Sequence, residues 1–403
     1  MHLTALCSGA QEGMGRFGQQ PRMIRYDRMV DTFLDLVRLD SPSREEKPVA
    51  DYLVHALQQL GAEVHVDGAG EKVGANVGNV IAAVPGAVDG PPLMLSSHMD
   101  VVPPARGVTP IRESDRIRSD GTTVLGGDDK SGLAVILEVL RCLREHHVPH
   151  PPLEIAFTIC EEIGLLGAKH LDYAQLRATE AIVLDSADAQ MLVTQGPSAD
   201  RFSFAVHGLP SHAGTAPEQG ISAVLVAARA IAAMPLGRID AKSTSNAVIA
   251  ESPQATNVVP AYCVVRGEAR SLDDDRLDSI MRQIRGCFQA AAAEAFTGSG
   301  DQLRRAWIEE TCERDYHALH IPADAPIVRS VLAAGHSVGA AIQTVAIGGG
   351  SDSNVHNRHG IASVNLGTGM RDIHTLGEWL DVEDFYRCAD IVLASVQLRA
   401  ARS

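Results

Sequence analysis

Apolar residues recur at helical and strand spacings in the first half of the chain, and the two spacings alternate. Apolar positions three or four residues apart over 26–60, interrupted at Pro42, predict helices, and a strong helical pattern covers 131–145. Short apolar or alternating runs predict strands over 80–84, 93–96, 153–159 and 182–184. Strands that alternate with helices in this way predict βαβ units around a mainly parallel sheet.

The pattern changes after Pro197. The following stretches predict a strand over 200–206, a helix over 218–234, a strand over 257–269 and a helix over 273–296. This succession over roughly 120 residues is typical of a compact α+β domain. The earlier style then returns, with a helix over 325–338, strands over 343–347 and 363–366, and a closing helix from Val382. The second half of the chain therefore begins with a different kind of domain and ends with more of the first kind.

The simplest interpretation is an α/β fold in two parts. A mainly parallel-sheet domain is expected over residues 26–196 and 318–403, interrupted by an inserted α+β domain over 197–317. Residues 1–25 are expected to form a flexible N-terminal extension. A chain of 403 residues is long enough for about two to three domains, so length agrees with this division.

Composition narrows the classes of function. The chain has 50 acidic and 35 basic residues, a net charge of −15, and a surface this acidic argues against nucleic-acid binding. Seven scattered cysteines without a Cys-x-x-Cys pair fit a reducing compartment, and no apolar run approaches the ~18 residues of a membrane helix. We therefore expect a cytoplasmic protein that binds neither nucleic acid nor membranes. The 16 histidines beside excess carboxylate suit metal binding.

Residues with metal-binding side chains follow several of the predicted strands. They are His98 and Asp100, the adjacent pair Asp128 and Asp129, the pair Glu161 and Glu162, Asp185, and the late His374. Ligand sites of open α/β sheets lie at the carboxyl ends of the strands, so these side chains are expected to meet. Taken singly, each also fits an ordinary surface pair, helix cap or solvated turn. Together, two histidines with three or four carboxylates describe a site for Zn, Co or Mn, in which one carboxylate could bridge two ions.

Two further motifs contain candidate ligand-binding residues. His212 lies in a Gly/Pro turn between a predicted strand and a predicted helix, where a structural role is equally consistent. The glycine loop 348–354 follows a predicted strand and could bring backbone N–H groups close to a carboxylate or a phosphate. Its spacing matches neither a Walker loop nor a dinucleotide fingerprint, so nucleotide binding is not expected.

The order of these motifs resembles that of a known enzyme family. Ser-His98-Met-Asp100, Gly-Asp128-Asp-Lys-Ser-Gly, Glu161-Glu162-Ile-Gly, Asp185, Gly-Leu-Pro-Ser-His212-Ala-Gly and His374 occur in sequence. This order is similar to that of the dinuclear zinc metallopeptidases that include peptidase T, carboxypeptidase G, aminoacylase and succinyl-diaminopimelate desuccinylase. The segments around Glu161 and the glycine loop most resemble the peptidase T-like branch.

The resemblance implies two divalent ions, with Zn the first choice and Co or Mn as alternatives. It places His98, Asp128 and Asp185 around one ion and Asp128, Glu162 and His374 around the other. Asp128 is chosen over Asp129 because the bridging acid of the family stands two residues before the lysine. A cis peptide after Asp128 is also implied.

The resemblance further implies roles around these ligands. Glu161 resembles the general base, and Asp100 resembles the carboxylate that supports His98. His212 resembles a histidine that reaches the active site of a partner subunit, which implies a homodimer formed through the inserted domain. The implied contacts to substrate are Asn257, Arg270, Gly350 and Ser351.

The expected function is hydrolysis of an amide bond in a small peptide by a metal-dependent, peptidase T-like aminopeptidase. An N-acyl-amino-acid or carbamoyl amidohydrolase on the same scaffold is an alternative, because the scissile bond is chemically alike. A non-catalytic metal-binding relative is a third possibility, although every position of the implied ligand and base set is filled.

Overall fold

The computed structural model describes residues 23–401. The predicted N-terminal extension, residues 1–25, lies outside this range apart from its last three residues. Within the described range, none of the helices is long and apolar enough to cross a membrane. The cysteines that the structure describes are six free thiols.

The first part of the chain supplies most of a nine-stranded sheet. Its helices are α1 (Tyr26–Val37), α2 (Lys47–Gln59), α3 (Ala69–Val73), α4 (Gly127–Glu145) and α5 (Leu166–His170). Its strands are β1 (Glu63–Val66), β2 (Val80–Val84), β3 (Leu93–His98), β4 (Pro110–Arg112), β5 (Arg116–Ser119), β6 (Leu153–Thr158), β7 (Glu180–Ser186) and β8 (Met191–Gly196).

A second group of elements lies between Ser198 and Tyr316, and we call residues 197–317 the inserted segment. Its strands are β9 (Ser198–His207), β10 (Gly237–Asp240), β11 (Ser243–Glu251), β12 (Tyr262–Ser271), β13 (Phe296–Thr297), β14 (Arg304–Arg305) and β15 (Trp307–Tyr316). Its helices are α6 (Ala223–Ala233) and α7 (Asp274–Ala293). The predicted domain boundaries at 196/197 and 317/318 stay a prediction, with which these strand bounds are compatible.

The last part of the chain returns to the large sheet. Its strands are β16 (Leu319–His320), β17 (Gln343–Ala346), β18 (Ala362–Gly367), β19 (Met370–Arg371) and β20 (Trp379–Asp381). Its helices are α8 (Pro326–Ser337), α9 (Asp352–Arg358) and α10 (Val382–Ala400). The small strands β19, β20, β5 and β4 form a separate four-stranded sheet.

The large sheet has its parallel strands in the middle. The order β1-β2-β6-β3-β7-β18-β8-β16 places β6, β3, β7 and β18 side by side, and these four run parallel. The pairs β1–β2, β2–β6, β18–β8 and β8–β16 are antiparallel, while β17 pairs with β8 in parallel. The predicted mixed α/β fold around a mainly parallel sheet is confirmed in this central region.

Both faces of the central strands are covered, which explains their continuous apolar sequence. Leu93 and Leu95 of β3 join a core with Phe33 of α1, Leu137 of α4 and Phe385 of α10. Met94 belongs to a separate apolar cluster on the other face of the sheet, together with Ile81, Ala181 and Ile361. Successive strand side chains point to opposite faces, so a short apolar run supplies both layers.

The inserted segment has its own sheet and its own core. The order β10-β11-β12-β9-β15 is antiparallel throughout. Helices α6 and α7 cover one face, where Phe204, Val265 and Phe288 are fully buried. The opposite face carries the alternate positions of the same strands, which are of mixed character and include the polar Arg201 and Ser203.

Several predicted elements of the inserted segment were wrong in number or length. The helix predicted over 218–234 begins only at Ala223, because Pro217 and Gly220 frame a separate short turn. The strand predicted over 257–269 begins at Tyr262, after Pro260. Strands β11 and β15 were not predicted, because each is largely exposed and charged or small residues blur its alternation.

Candidate metal centre and active site

The predicted site residues follow three neighbouring strands of the large sheet. Strand β3 ends at His98, β7 carries Asp185 near its end, and β6 stops at Thr158 shortly before Glu161. Since β6, β3 and β7 run parallel as neighbours, their carboxyl ends meet at one edge of the sheet. The topology therefore places these side chains together, as the sequence predicts.

The side chain of Asp128 lies at the middle of this group. His98 Nε2 is 3.0 Å from Asp128 Oδ1, and His374 Nε2 is 3.1 Å from Asp128 Oδ2. His374 Nε2 is also 3.0 Å from Glu162 Oε2, while Asp185 Oδ1 lies 4.0 Å from His98 Nε2. One carboxylate thus faces both histidines, which is the geometry of a bridging ligand.

A glycine pair and one buried glutamate hold Asp128 in this position. The Glu378 carboxylate accepts the backbone N–H groups of Leu125 (2.7 Å), Gly126 (2.9 Å) and Asp128 (3.1 Å). Gly126 has a φ of 78°, and a Cβ at Gly127 would lie 3.1 Å from Glu378 Oε1. The two glycines therefore allow the loop to wrap around the carboxylate. Sequence reasoning missed Glu378, whose one available signal is its position four residues after His374.

Asp129 has a different environment from Asp128. Its Oδ2 accepts hydrogen bonds from Ser97 Oγ (2.6 Å) and from the backbone N–H of His98 (3.2 Å). The peptide between the two aspartates is cis, as the resemblance implies. Among the described residues, two groups of side chains each have potential ligand atoms that all lie within 4.8 Å of one another. These groups are His98–Asp128–Glu162 and His98–Asp129–Asp185. Because Ser97 and His98 already occupy one oxygen of Asp129, Asp128 is the better bridging candidate.

Asp100 organises the turn that carries the two glutamates. Its Oδ1 accepts the N–H of Glu161 (2.9 Å), and its Oδ2 accepts the N–H of Glu162 (3.2 Å) and the hydroxyl of Ser43 (2.6 Å). Nδ1 of His98 is 3.0 Å from the carbonyl oxygen of Asp100 and 3.5 Å from its carboxylate. Asp100 therefore contacts His98 chiefly through its backbone, and its carboxylate holds the Glu161–Glu162 turn.

A second buried carboxylate supports the same turn. Glu46 Oε1 accepts the backbone N–H of Cys160 (3.0 Å), and the Cys160 thiol lies 3.3 Å from the same oxygen. Cys160 adopts a left-handed φ of 52°, directly before Glu161. Glu46 was not predicted as a site residue, because it precedes an ordinary amphipathic helix and nothing in the local pattern marks it.

The centre concentrates negative charge in a buried space. Burial raises the pKa of Glu161 and of Asp185 well above the usual range, and it raises the pKa of Glu162 as well. Burial also opposes ionisation of Asp128, but hydrogen bonds from His374 and His98 leave its pKa low. Hydrogen bonds to Asp128 and Glu162 raise the pKa of His374 to about 10. A set of oxygen and imidazole ligands with this surplus of charge fits divalent cations.

The glycine loop lies beside the same centre. Asp352, at the start of α9, is buried and accepts a hydrogen bond from Thr158 Oγ1 at the end of β6. Burial raises the pKa of Asp352 to about 6. The N–H of Ser351 donates to Asn354 Oδ1 (3.1 Å), and a Cβ at Gly350 would lie 2.4 Å from the ring of Tyr316. Gly350 and Ser351 thus lie close to the centre, together with Asp352, which sequence reasoning had not singled out.

Asn354 connects the glycine loop to the inserted segment. Its Nδ2 donates to the carbonyl oxygens of Pro197 (3.0 Å) and His317 (2.8 Å). These two residues lie where the chain enters and leaves the inserted segment. The same amide therefore ties both connections to helix α9.

The three predicted residues of the inserted segment fall into two groups. Arg270 lies near the glycine loop, with its Nη1 3.3 Å from the carbonyl oxygen of Gly348. His212 and Asn257 lie on paired loops, where the N–H of Ala213 donates to the Asn257 carbonyl (2.9 Å). Those loops follow the far end of the ten-residue strand β9, about 30 Å from its start beside the glycine loop. Arg270 therefore lies beside the glycine loop of its own chain, whereas His212 and Asn257 lie at the far end of the sheet.

Comparisons with known proteins agree with this architecture. The model of Peptidase family M20/M25/M40 matches residues 94–398. The chain is 34% identical over 377 residues to the uncharacterised protein YqjE of Bacillus subtilis, covering 93% of this chain and 99% of that protein.

Two solved structures are similar over nearly their whole length. The aminopeptidase PepT from Bacillus cereus has 35% identity and a TM-score of 0.86, with 94% of this chain and 100% of that chain covered. A tripeptidase from Staphylococcus aureus has 34% identity and a TM-score of 0.89, with 95% and 100% covered. With its fold and most of its length matched in this way, the chain belongs to Peptidase family M20/M25/M40.

Proposed function

We propose that the protein is a metal-dependent aminopeptidase that hydrolyses small peptides, tripeptides first among them. The observation that carries the proposal is the convergence of two histidines on the Asp128 carboxylate, with the buried Glu161 directly before Glu162, which faces one of those histidines. The aminopeptidase from Bacillus cereus and the tripeptidase from Staphylococcus aureus support the choice of substrate class. We also propose a cytoplasmic location, which the free thiols of the described cysteines support.

The proposed cofactors are two divalent ions per chain, with Zn preferred. His98, Asp128 and Asp185 would hold one ion, and Asp128, Glu162 and His374 the other. Bound there, the ions would supply Lewis acidity toward the scissile carbonyl and toward water. The surplus of buried carboxylates supports this assignment, since a cation offsets their mutual repulsion.

Glu161 is proposed to move the protons. Its carboxylate would take a proton from the attacking water and pass it to the leaving amine, as a positioned acid–base group does. Burial raises the pKa of Glu161 well above its usual range, which brings proton exchange closer to neutral pH. Asp100 and Glu46 would hold the turn so that the Glu161 side chain keeps its orientation.

The substrate is proposed to lie between the sheet edge and the inserted segment. Arg270 would bind the terminal carboxylate of the peptide, and Gly350 and Ser351 would contact its backbone. His212 and Asn257 would act on the centre of a second copy, in a homodimer formed through the inserted segment. The distance between these two residues and the centre of their own chain supports that arrangement.

The central test replaces Glu161 and measures turnover and metal content together. Glu161→Gln should lower kcat on a free-amine tripeptide by about 10²- to 10⁴-fold, because the proton acceptor is lost. The bound metal should remain close to two ions per chain, since Glu161 is not a proposed ligand. A variant that keeps its activity would remove Glu161 from this role.

Substrate class is tested in parallel with a matched panel. Free-amine tripeptides, N-acetylated amino acids and N-carbamoyl amino acids carry the same kind of scissile bond. We expect the tripeptides to have the highest kcat/KM. Faster cleavage of the acylated compounds would instead favour an amidohydrolase on this scaffold. Bound metal without cleavage of any of these compounds would favour a non-catalytic metal-binding relative.

A further inference from the structure

Five residues form one row across the sheet of the inserted segment. Arg238 pairs with Thr244, Thr244 with Arg270, Arg270 with Ala199, and Ala199 with Tyr316. Directly paired residues of antiparallel strands project from the same face of the sheet. Ala199 and Tyr316 are buried in a cluster with Leu165, Ala168 and Val355 of the large-sheet region. The face that carries this row is therefore directed at the active site.

The glycine loop, residues 348–354, contacts two members of this row. A Cβ at Gly350 would meet the ring of Tyr316 at 2.4 Å, and the carbonyl oxygen of Gly348 is 3.3 Å from Arg270 Nη1. Beyond Arg270 a cavity of about 280 Å³ opens. Its lining includes Arg238, Lys242, Thr244, Arg270 and residues 346–348. The row thus leads from the catalytic centre into this cavity.

The cavity is lined by cations in an otherwise acidic protein. Neither Arg238 nor Lys242 has an ion-paired or hydrogen-bonded side chain within residues 23–401. The nearby Asp240 is paired with Arg276 at 3.0 Å, and Glu268 is paired with Arg270. Two cations therefore line the cavity without a carboxylate of their own, in a chain whose net charge is −15. An anionic group entering the cavity would find complementary charge.

We propose that this cavity is a second carboxylate subsite, which selects peptides with aspartate or glutamate at their C-terminus. The inference rests on the proposed peptidase function and names a preference of the same site. With the terminal carboxylate at Arg270, the side-chain carboxylate of that residue would extend toward Arg238 and Lys242. Two strand spacings, about 10 Å, separate Arg270 from Arg238, and the long side chains of both residues shorten the gap between their charged ends.

The experiment compares two isosteric tripeptides, Ala-Ala-Glu and Ala-Ala-Gln, on the metal-loaded protein. We expect kcat/KM to favour the glutamate peptide by about three- to ten-fold, as two solvent-accessible ion pairs would allow. The double variant Arg238→Gln/Lys242→Gln should bring this ratio close to one. The preference of the native protein should also fall as salt is raised, because accessible charges are screened.

Arg229→Gln/Arg282→Gln is the matched control. Arg229 and Arg282 are exposed cations on α6 and α7, which cover the other face of the sheet, so their removal changes the net charge by the same two units and should leave the ratio intact. A native ratio of one, or a ratio that survives in the double variant, would overturn the proposal. The proposal would also be overturned if millimolar inorganic phosphate inhibited the cleavage of both peptides equally and this inhibition were lost in the double variant. The cavity would then be a site for a free anion and not for a peptide side chain.

The subsite and the proposed function can fail separately. If neither tripeptide is cleaved, the proposed peptidase activity is wrong. The dissociation constants of the same two peptides, measured by calorimetry on the native protein and the double variant, then give the ratio without turnover. A preference for the glutamate peptide that the double variant lacks would still support the subsite, and equal affinities would reject it.

Discussion

Two histidine-bearing regions of this protein are built very differently. At the edge of the large sheet, His98 and His374 converge on one carboxylate, and buried groups behind that carboxylate hold its backbone. At the far end of the inserted segment, His212 contacts its own loop, where the N–H of Gly214 donates to Nδ1 at 3.1 Å. The first region has its partners within one chain, whereas the second has a reactive side chain remote from any centre of its own chain.

The difference shows which kind of site can be recognised from a single chain and which kind depends on a partner. Parallel strands force their carboxyl ends together, so ligands at those ends meet whatever else the protein binds. A loop at the end of an antiparallel sheet has no such constraint, and its function depends on what is placed against it. Under the proposed homodimer, the second region completes the first region of another copy.

A mixing experiment tests that dependence and carries the largest expected effect. The role we propose for His212 is to donate a hydrogen bond to the oxyanion in the partner's site. His212→Ala should therefore lower kcat by about 10²- to 10³-fold, as the loss of one such donor does. Glu161→Gln should be impaired for a different reason, because it lacks the proposed proton acceptor. Co-expressed in equal amounts, the two variants should recover about a quarter of native activity, because half of the dimers are hybrids with one intact site.

The recovered activity must come from hybrids and not from either parent. Each variant alone therefore serves as a control, and light scattering should report a dimer for both. Recovery of no activity from demonstrated hybrid dimers, or full activity from a native monomer, would remove His212 from the site and break the comparison between the two regions.

Glu378→Gln tests whether the first region depends on the groups behind its ligands. The glutamine would turn an N–H donor toward three backbone N–H groups that now share a carboxylate, so the loop carrying Asp128 should shift. We expect Zn affinity to fall about 10- to 100-fold in a competition titration. Glu383→Gln is the control, since it removes an exposed carboxylate from α10 and should leave the Zn affinity unchanged. If the Glu378→Gln variant bound Zn as tightly as the Glu383→Gln variant, Glu378 would be dispensable for the site.

In the first region, the sequence predicts the candidate metal ligands better than it predicts the residues that hold them in place. His98, Asp128 and Asp185 each stand at a strand or helix end that periodicity alone indicates, and the parallel order then brings them together. Glu46 and Glu378 could not be found in this way. Neither residue lies at a predicted strand end, and the role of each depends on long-range contacts, with Cys160 in one case and Leu125 in the other. Strands β11 and β15 were not predicted for a related reason, because exposed strands need no apolar alternation.

Asp185→Asn gives the smallest effect and separates the stability of the first region from its function. Burial and the charge of Asp128 raise the pKa of Asp185 well above its unfolded value. An acid with a raised folded pKa costs stability as pH rises from its unfolded pKa through its folded one, since the unfolded chain releases the proton first.

In metal-free protein at pH 7 to 8, Asp185→Asn should therefore raise Tm by roughly a few degrees, while lowering Zn affinity. The gain should shrink as pH falls below the unfolded pKa of about 3.9, where the Asp185 carboxyl becomes protonated in both the folded and the unfolded state. Asp324→Asn, at an exposed position, should change neither Tm nor affinity. A lower Tm for Asp185→Asn in the absence of metal would mean that hydrogen bonding, and not repulsion, governs this carboxylate, and the charge surplus assigned to the centre would be wrong.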